Sequence, residues 1–174
     1  MAQLLKLGSD DSDSTFSPFE TQFRRRIWWT LCWLEKRCAE DIAEPTSIMT
    51  WGSACSLPIK ICDNDLCSRG SLPVPRVGLA DNTFCLMRFE VLKLFFKLHR
   101  MKPDPTIRDE RQRQENLVHL KEVLLNETKA RLEEDVLQYC SDTRPFDWLV
   151  MHFVQAVMVS TGLCLNVCLI RINR

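Results

Sequence analysis

Apolar residues recur at spacings of three and four along three segments of this 174-residue chain, and a fourth segment is largely apolar, so the pattern predicts four α-helices. The first begins at Ser17-Pro18-Phe19-Glu20, where serine at the N-cap, proline at the first helical position and glutamate three residues after the cap form a capping box. The apolar repeat continues to Glu44-Pro45, and a proline disfavours helix in the residue before it. The pattern therefore predicts a first helix over about 18–43.

The same periodicity predicts a second helix over about 82–100 and a more polar third helix over about 109–139. A fourth helix is predicted to begin at Pro145, because Asp142 and Thr143 precede it and an apolar segment follows. Between the first two, residues 46–80 carry proline, glycine, serine and asparagine at short intervals, with no periodicity. This composition predicts a long irregular loop. The predicted fold class is all-α, an irregular helical bundle with a long irregular loop.

The fourth segment raises the question of a membrane helix. Residues 148–170 contain no formally charged side chain, and these 23 residues are long enough to span a bilayer. The run is nevertheless interrupted by polar side chains, which cost free energy in hydrocarbon unless they are paired. They are His152, Gln155, Ser160, Thr161 and Asn166. A core helix is therefore favoured, with a C-terminal tail anchor as the alternative.

The overall charge of the chain does not indicate a nucleic-acid-binding surface, because its 23 basic and 23 acidic residues balance. The basic run Arg24-Arg25-Arg26 lies within the first predicted helix, where consecutive residues point about 100° apart and cannot form one face. We interpret these arginines as structural, some paired with carboxylates and others stacked on Trp28, Trp29 or Trp33. The alternative is a nuclear-import or phosphate-contacting patch, which usually needs a longer basic run.

Few residues of the sequence are arranged as a catalytic, metal or cofactor site would require. The nine cysteines include no Cys-x-x-Cys pair, and the gaps between Cys55, Cys62 and Cys67 are too wide for a typical zinc knuckle. The three histidines have no nucleophile or carboxylate arranged around them, and the five glycines form no phosphate-binding loop. The sequence therefore predicts no catalytic, metal or cofactor site in this chain.

Several motifs follow one another in a specific order. They are Ser17-Pro18-Phe19-Glu20, Arg24-Arg25-Arg26-Ile27-Trp28-Trp29, Leu57-Pro58, Asp63-Asn64-Asp65-Leu66, Thr83-Phe84-Cys85-Leu86-Met87-Arg88-Phe89-Glu90, Leu132-Glu133-Glu134 and Pro145-Phe146-Asp147-Trp148-Leu149. This series resembles the regulatory middle homology region of fungal zinc-cluster transcription factors, over about residues 2–157.

The resemblance implies an all-helical, partial regulatory domain over 1–157 that acts in regulation of DNA-templated transcription in the nucleus, without catalysis. It assigns structural or regulatory roles to a set of motif residues. These are Ser17, Pro18, Phe19, Glu20, Arg24, Arg25, Arg26, Trp28, Trp29, Leu57, Pro58, Asp63, Asp65, Leu66, Arg88, Glu90 and Trp148. The implied partners are the DNA-binding module of the parent protein or other transcription proteins, with a small-molecule effector as an alternative and no membrane.

The chain departs from the family pattern at both ends. It lacks the six-cysteine zinc cluster, so we expect zinc and DNA contact only in a module outside this sequence. Residues 158–174 are apolar and cysteine-rich where the family continues with charged helix. We hypothesise that this divergent tail is translated from an unspliced intron; a mature transcript that retains the codons for 159–174 would contradict this.

Overall fold

The computed structural model describes residues 7–8, 16–42, 55–66 and 74–172 of the 174-residue chain. Four α-helices follow in order: α1 (Pro18–Ile42), α2 (Thr83–Arg100), α3 (Glu110–Asp135) and α4 (Pro145–Ile172). Single 3₁₀ turns occur at Asp63–Asp65 and Leu137–Tyr139. No strand occurs in the ranges described, so the predicted all-α class is confirmed.

The chain forms two compact units, Met1–Lys93 and Leu94–Arg174. The first contains α1, the loop residues 55–66 and 74–82, and the beginning of α2. The rest of the irregular loop predicted over 46–80 lies outside the described residues. The interior of the first unit is aromatic and aliphatic, with the rings of Trp29 and Phe89 6.2 Å apart. The fully or almost fully buried apolar residues here include Trp28, Trp29, Cys32, Ile61, Met87, Phe89 and Val91.

Helix α1 begins where the capping box predicts. The backbone N–H of Ser17 donates to Glu20 Oε2 at 2.8 Å, and the backbone N–H of Glu20 donates to Ser17 Oγ at 3.3 Å. These reciprocal bonds satisfy N–H groups that the first helical turn leaves without partners. Helix α2 begins at Thr83, whose hydroxyl accepts from the backbone N–H of Ala80 at 2.7 Å.

The second unit contains α3 packed against α4. Its buried apolar residues include Leu117, Val118, Leu132, Val136, Val150, Val154 and Met158. Asp109 caps α3 by accepting from the backbone N–H of Arg111 at 3.1 Å. At the start of α4, the buried carboxylate of Asp147 accepts from the backbone N–H of Ser141 at 2.9 Å and pairs with Arg144 at 2.6 Å.

The third helix is shorter than the sequence predicts. It ends at Asp135, because Val136 has non-helical backbone angles (φ −135°, ψ −59°) and a buried side chain. A β-branched residue has low helix propensity, and here burial of its side chain accompanies the break. Residues 137–139, predicted as the last helical turn, form a 3₁₀ turn instead.

Helix α4 runs through residues 157 and 158 without a break. The domain boundary at 157 and the intron origin of the 158–174 tail are not tested by the structure and stay predictions. Within the described ranges, none of the helices combines the length and apolar character needed to cross a bilayer.

Candidate functional site

Some of the motif residues of the first unit meet at the loop segment 56–63. Five polar side chains hold this segment, three from α1 and two from the turn before α2, and we call this set the loop clamp. Its members are Gln22, Arg26, Trp29, Asp81 and Asn82. The loop is irregular, so side chains supply hydrogen bonds that a helix or sheet would otherwise give its backbone.

Asn82 uses both ends of its carboxamide in the loop clamp. Its Nδ2 donates to the carbonyl oxygen of Ile59 at 2.7 Å, and its Oδ1 accepts from the backbone N–H of Ile61 at 3.1 Å. Asn82 and Ile61 are both buried. The side chain therefore fixes two backbone groups two residues apart, which sets the path of the loop over the core.

Helix α1 holds the same segment from its core-facing side. The backbone N–H of Ile59 donates to Gln22 Oε1 at 2.8 Å, and the indole N–H of Trp29 donates to the carbonyl oxygen of Ser56 at 3.1 Å. Gln22 and Trp29 are 1% and 0% exposed, so the α1 side of these partly buried bonds is shielded from water. Loss of either side chain would leave a loop backbone group without its protein partner.

The charged end of the loop clamp lies at the 3₁₀ turn. Arg26 Nη1 donates to Asp63 Oδ1 at 2.8 Å, and the backbone N–H of Asp63 donates to Asp81 Oδ2 at 3.0 Å. Beside them, Arg76 binds Asp65 through Nε at 2.7 Å and Nη2 at 3.1 Å. The bond from Arg76, together with its charge and the backbone N–H of Cys62, lowers the pKa of the Asp65 carboxyl.

Two further motif arginines, Arg24 and Arg88, contact aromatic rings. The guanidinium carbon of Arg88 lies 4.5 Å from the ring centroid of Trp33, and that of Arg24 lies 4.1 Å from the centroid of Phe16. Of the predicted pairings, the structure confirms one arginine–carboxylate pair, that of Arg26. Trp33 is stacked by an arginine from α2, which the sequence reading did not anticipate.

The structure brings together Arg26, Trp29, Pro58 and Asp63 among the motif residues, with Asp65 and Leu66 in or next to the same turn. Others lie apart from the loop. Ser17, Pro18, Phe19 and Glu20 form the start of α1; Arg25 and Glu90 are half-buried on α1 and α2. Trp148 belongs to the second unit, is 51% exposed and stacks on His152, with 4.0 Å between ring centroids.

The sequence reading missed Gln22, Asp81 and Asn82. One signal for Gln22 was available: it is a polar residue four and seven positions before Arg26 and Trp29, hence on the same face of α1. Asp81 and Asn82 lie directly before α2, where such residues usually cap a helix, so their bonds to a distant loop could not be inferred.

A cavity of about 240 Å³ lies beside the charged end of the loop clamp. Its walls come from α1, the loop and the first turns of α2, and they include both charged and apolar side chains. As to metals, no group of three or more His, Cys, Asp or Glu side chains that could hold an ion occurs in the described part of the chain.

Comparison with known proteins finds that this sequence is similar to part of several curated fungal transcription factors. The chain is 29% identical over 141 residues to the C6 finger domain transcription factor nscR of Trichophyton tonsurans, a match that covers 79% of this chain and 18% of that protein. For nscR of Trichophyton rubrum the identity is 28% over 155 residues, with 87% and 20% covered. For the Aurofusarin cluster transcription factor aurR2 of Gibberella zeae it is 30% over 94 residues, with 52% and 14% covered.

No family model matches the chain, and no solved structure matches it significantly. The chain spans about a fifth of the length of the nscR relatives. These relatives are all named as transcription factors. Over the matched residues, the chain is similar to fungal C6 finger, or zinc-cluster, transcription factors, which agrees with the resemblance that its ordered motifs indicate.

Proposed function

We propose that this chain is a regulatory and interaction segment of a fungal transcription regulator that acts on DNA-templated transcription in the nucleus. The observation that carries the proposal is the match to C6 finger transcription factors over 79% of the chain. The loop clamp supports it, because Arg26, Trp29, Pro58 and Asp63 belong to the ordered motifs and meet at one place.

In this proposal the segment works through protein contacts. Its formal net charge is zero, so the chain as a whole offers no electrostatic attraction for the phosphate backbone. DNA contact, and the zinc of the six-cysteine cluster, belong to a separate DNA-binding module. The partners are that module or other transcription proteins, and the chain carries out no catalytic step.

The loop clamp suggests how a contact could be transmitted. The loop is bound by α1 on one side and by the turn before α2 on the other, through buried and partly buried hydrogen bonds. A partner that binds one position of the loop more tightly than another therefore shifts both helices together. The size of the shift is set by the difference between the partner's affinities for the two loop positions.

The proposal can be tested by fusing the 174-residue chain to a heterologous DNA-binding domain in yeast and measuring transcription from a reporter with that domain's operator. We expect the fusion to change reporter output relative to the DNA-binding domain alone, at matched abundance in the nucleus. Equal output from the two proteins would contradict a regulatory role.

A second candidate function, a small-molecule effector module, is favoured by the cavity beside the loop clamp. Mixed polar and apolar walls of this kind are typical of sites that orient a ligand by a few polar groups. The two functions are compatible, because a ligand in the cavity would contact the same elements that hold the loop.

A further inference from the structure

The cavity of the first unit is lined by both apolar and charged side chains. Pro58, Leu86 and Phe89 are among the apolar residues, and Arg26, Asp63 and Asp81 are the charged ones. With two carboxylates and one guanidinium, the lining carries one negative charge in excess.

The guanidinium of Arg26 already has a carboxylate partner. Its Nη1 donates to Asp63 Oδ1 at 2.8 Å, so the two charges neutralise each other. Its Nε and Nη2 are closed off from solvent and have no hydrogen-bond partner among the described residues. An incoming ligand does not reach these two atoms in this arrangement, so the guanidinium is part of the wall and offers no ready site for an anion.

Asp81 is the charge that stays available. It is exposed, its Oδ2 accepts from the backbone N–H of Asp63 at 3.0 Å, and it forms no ion pair within the described ranges. The nearby cation on which its charge acts, Arg76, is itself paired with Asp65 at 2.7 Å. The neighbouring polar side chains are used elsewhere: Thr30 donates to the Arg26 carbonyl, and Asn82 binds the loop. The polar side-chain atoms of the cavity that stay open to a ligand are therefore carboxylate oxygens, which accept hydrogen bonds and carry negative charge. Such a lining suits a ligand that has N–H donors and a positive charge.

The volume limits the ligand to a small molecule. A protein cavity of about 150 Å³ is known to hold benzene. At about 240 Å³, this cavity has room for a ring and a short aminoalkyl chain.

We propose that this cavity binds a small organic amine, whose ammonium group donates to Asp81 and to the free oxygen of Asp63 while its apolar body packs on Leu86 and Phe89. Such a ligand contacts α1, the loop and α2 at once, so it adds to the contacts that hold the loop. The binding itself does not depend on the proposed regulatory function; only its regulatory consequence does.

The test uses the whole 174-residue chain and three probes that share a phenylethyl group and differ in the polar group. They are the cationic 2-phenylethylamine, the neutral 2-phenylethanol and the anionic 3-phenylpropanoate. Binding is followed by amide chemical shifts in NMR titrations, read at Asp63, Cys85 and Leu86. The amine should bind about tenfold more tightly than the alcohol, the difference expected for one charge-assisted hydrogen bond. The anion should bind more weakly still.

Two variants and one control locate the site. Asp81→Asn keeps an oxygen that can accept from the N–H of Asp63 but removes the charge, so amine affinity should fall about tenfold. Cys85→Phe places a ring in the cavity from an exposed position and should abolish binding. Asp142→Asn removes an exposed carboxylate of the second unit and should change nothing.

The proposal is overturned if the alcohol or the anion binds as tightly as the amine, if no probe shifts the three amides, or if Asp81→Asn binds the amine as tightly as the parent chain. Because binding is measured without transcription, none of these results bears on the reporter experiment.

Discussion

Asn82 Nδ2 lies 2.7 Å from the carbonyl oxygen of Ile59, and the same side chain accepts from the N–H of Ile61 at 3.1 Å. One buried carboxamide thus fixes two backbone groups of a loop that begins more than twenty residues earlier in the sequence. The irregular path of residues 56–63 depends on side chains in this way, which makes the loop sensitive to single substitutions.

Replacing Asn82 by alanine should lower the free energy of unfolding by about 2–4 kcal/mol, because the N–H of Ile61 and the carbonyl of Ile59 lose their partner. Urea unfolding of the 174-residue chain measures this change. Asn126→Ala, at an exposed position of α3, is the matched control and should stay within about 0.5 kcal/mol of the parent. Equal loss in both variants would contradict the role assigned to Asn82.

The capping box of α1 should show coupled energetics. Ser17→Ala removes the hydroxyl that accepts from the N–H of Glu20 and should cost about 1 kcal/mol. Glu20→Ala removes the acceptor of the N–H of Ser17. Since the two side chains also bond each other at 2.8 Å, the double variant should lose less than the sum of the single losses. Strict additivity in thermal unfolding would show that the box does not form.

Stability should decrease in acid. The pKa values of Glu20, Asp65 and Asp104 are lowered in the folded chain, chiefly by the backbone N–H of Ser17, the guanidinium of Arg76 and the hydroxyl of Thr106 respectively. The unfolded values lie near 4.5, 3.8 and 3.8. A lowered folded pKa gives stability that is present above the unfolded value and is lost as pH falls through the folded one.

The melting temperature should therefore hold from neutral pH to about pH 4.5 and fall below it. Arg76→Gln removes the main cause at one of these groups, so the pKa of Asp65 should rise towards its ordinary value in a carboxyl NMR titration. An unchanged titration of Asp65 in this variant would show that Arg76 does not bind it in solution.

The second unit has its own buried carboxylate. Asp147→Ala should cost about 2–3 kcal/mol, mainly because the N–H of Ser141 is left without its acceptor. Asp147→Asn keeps an acceptor oxygen and should cost less. Glu133→Ala, at an exposed position whose pair with Lys129 spans 3.8 Å, should have little effect in the same urea experiment. A loss at Glu133 as large as that at Asp147 would contradict the account.

The thiols should differ in reactivity. Burial, with contributions from Glu35 and Cys55, raises the pKa of Cys32 to about 12, whereas Cys38 and Cys85 are exposed. Because the thiolate is the reacting species, iodoacetamide at pH 8 should label Cys38 and Cys85 well before Cys32. Peptide mass spectrometry over time measures this order. Early labelling of Cys32 in the folded chain would show that this part of the core is open.

Local features of the fold could be predicted from the sequence, because neighbours in the chain create them. The capping box and the proline at position 18 located the start of α1, and the apolar repeat gave the approximate ends of α1 and α2. The end of α3 was missed, since the break at Val136 depends on burial of its side chain in the tertiary structure.

The candidate site was predicted only in part for the same reason. The motifs marked Arg26 and Asp63, but their pairing across 37 residues depends on how the loop returns to α1. Asn82 has no local pattern that distinguishes an asparagine bound to a distant loop from one that caps its own helix. Long-range partners of single polar residues need the three-dimensional structure.

The central claim is that the loop held by Asn82, Gln22 and Trp29 is the part of this chain through which it regulates transcription. The most direct test is reporter output of the DNA-binding fusion carrying Asn82→Ala, compared with the parent fusion and with Lys129→Ala, at matched nuclear abundance. We predict that Asn82→Ala shifts output away from the parent value while Lys129→Ala does not. Parent-level output from an Asn82→Ala fusion whose Ile61 amide has lost its hydrogen-exchange protection would contradict the claim.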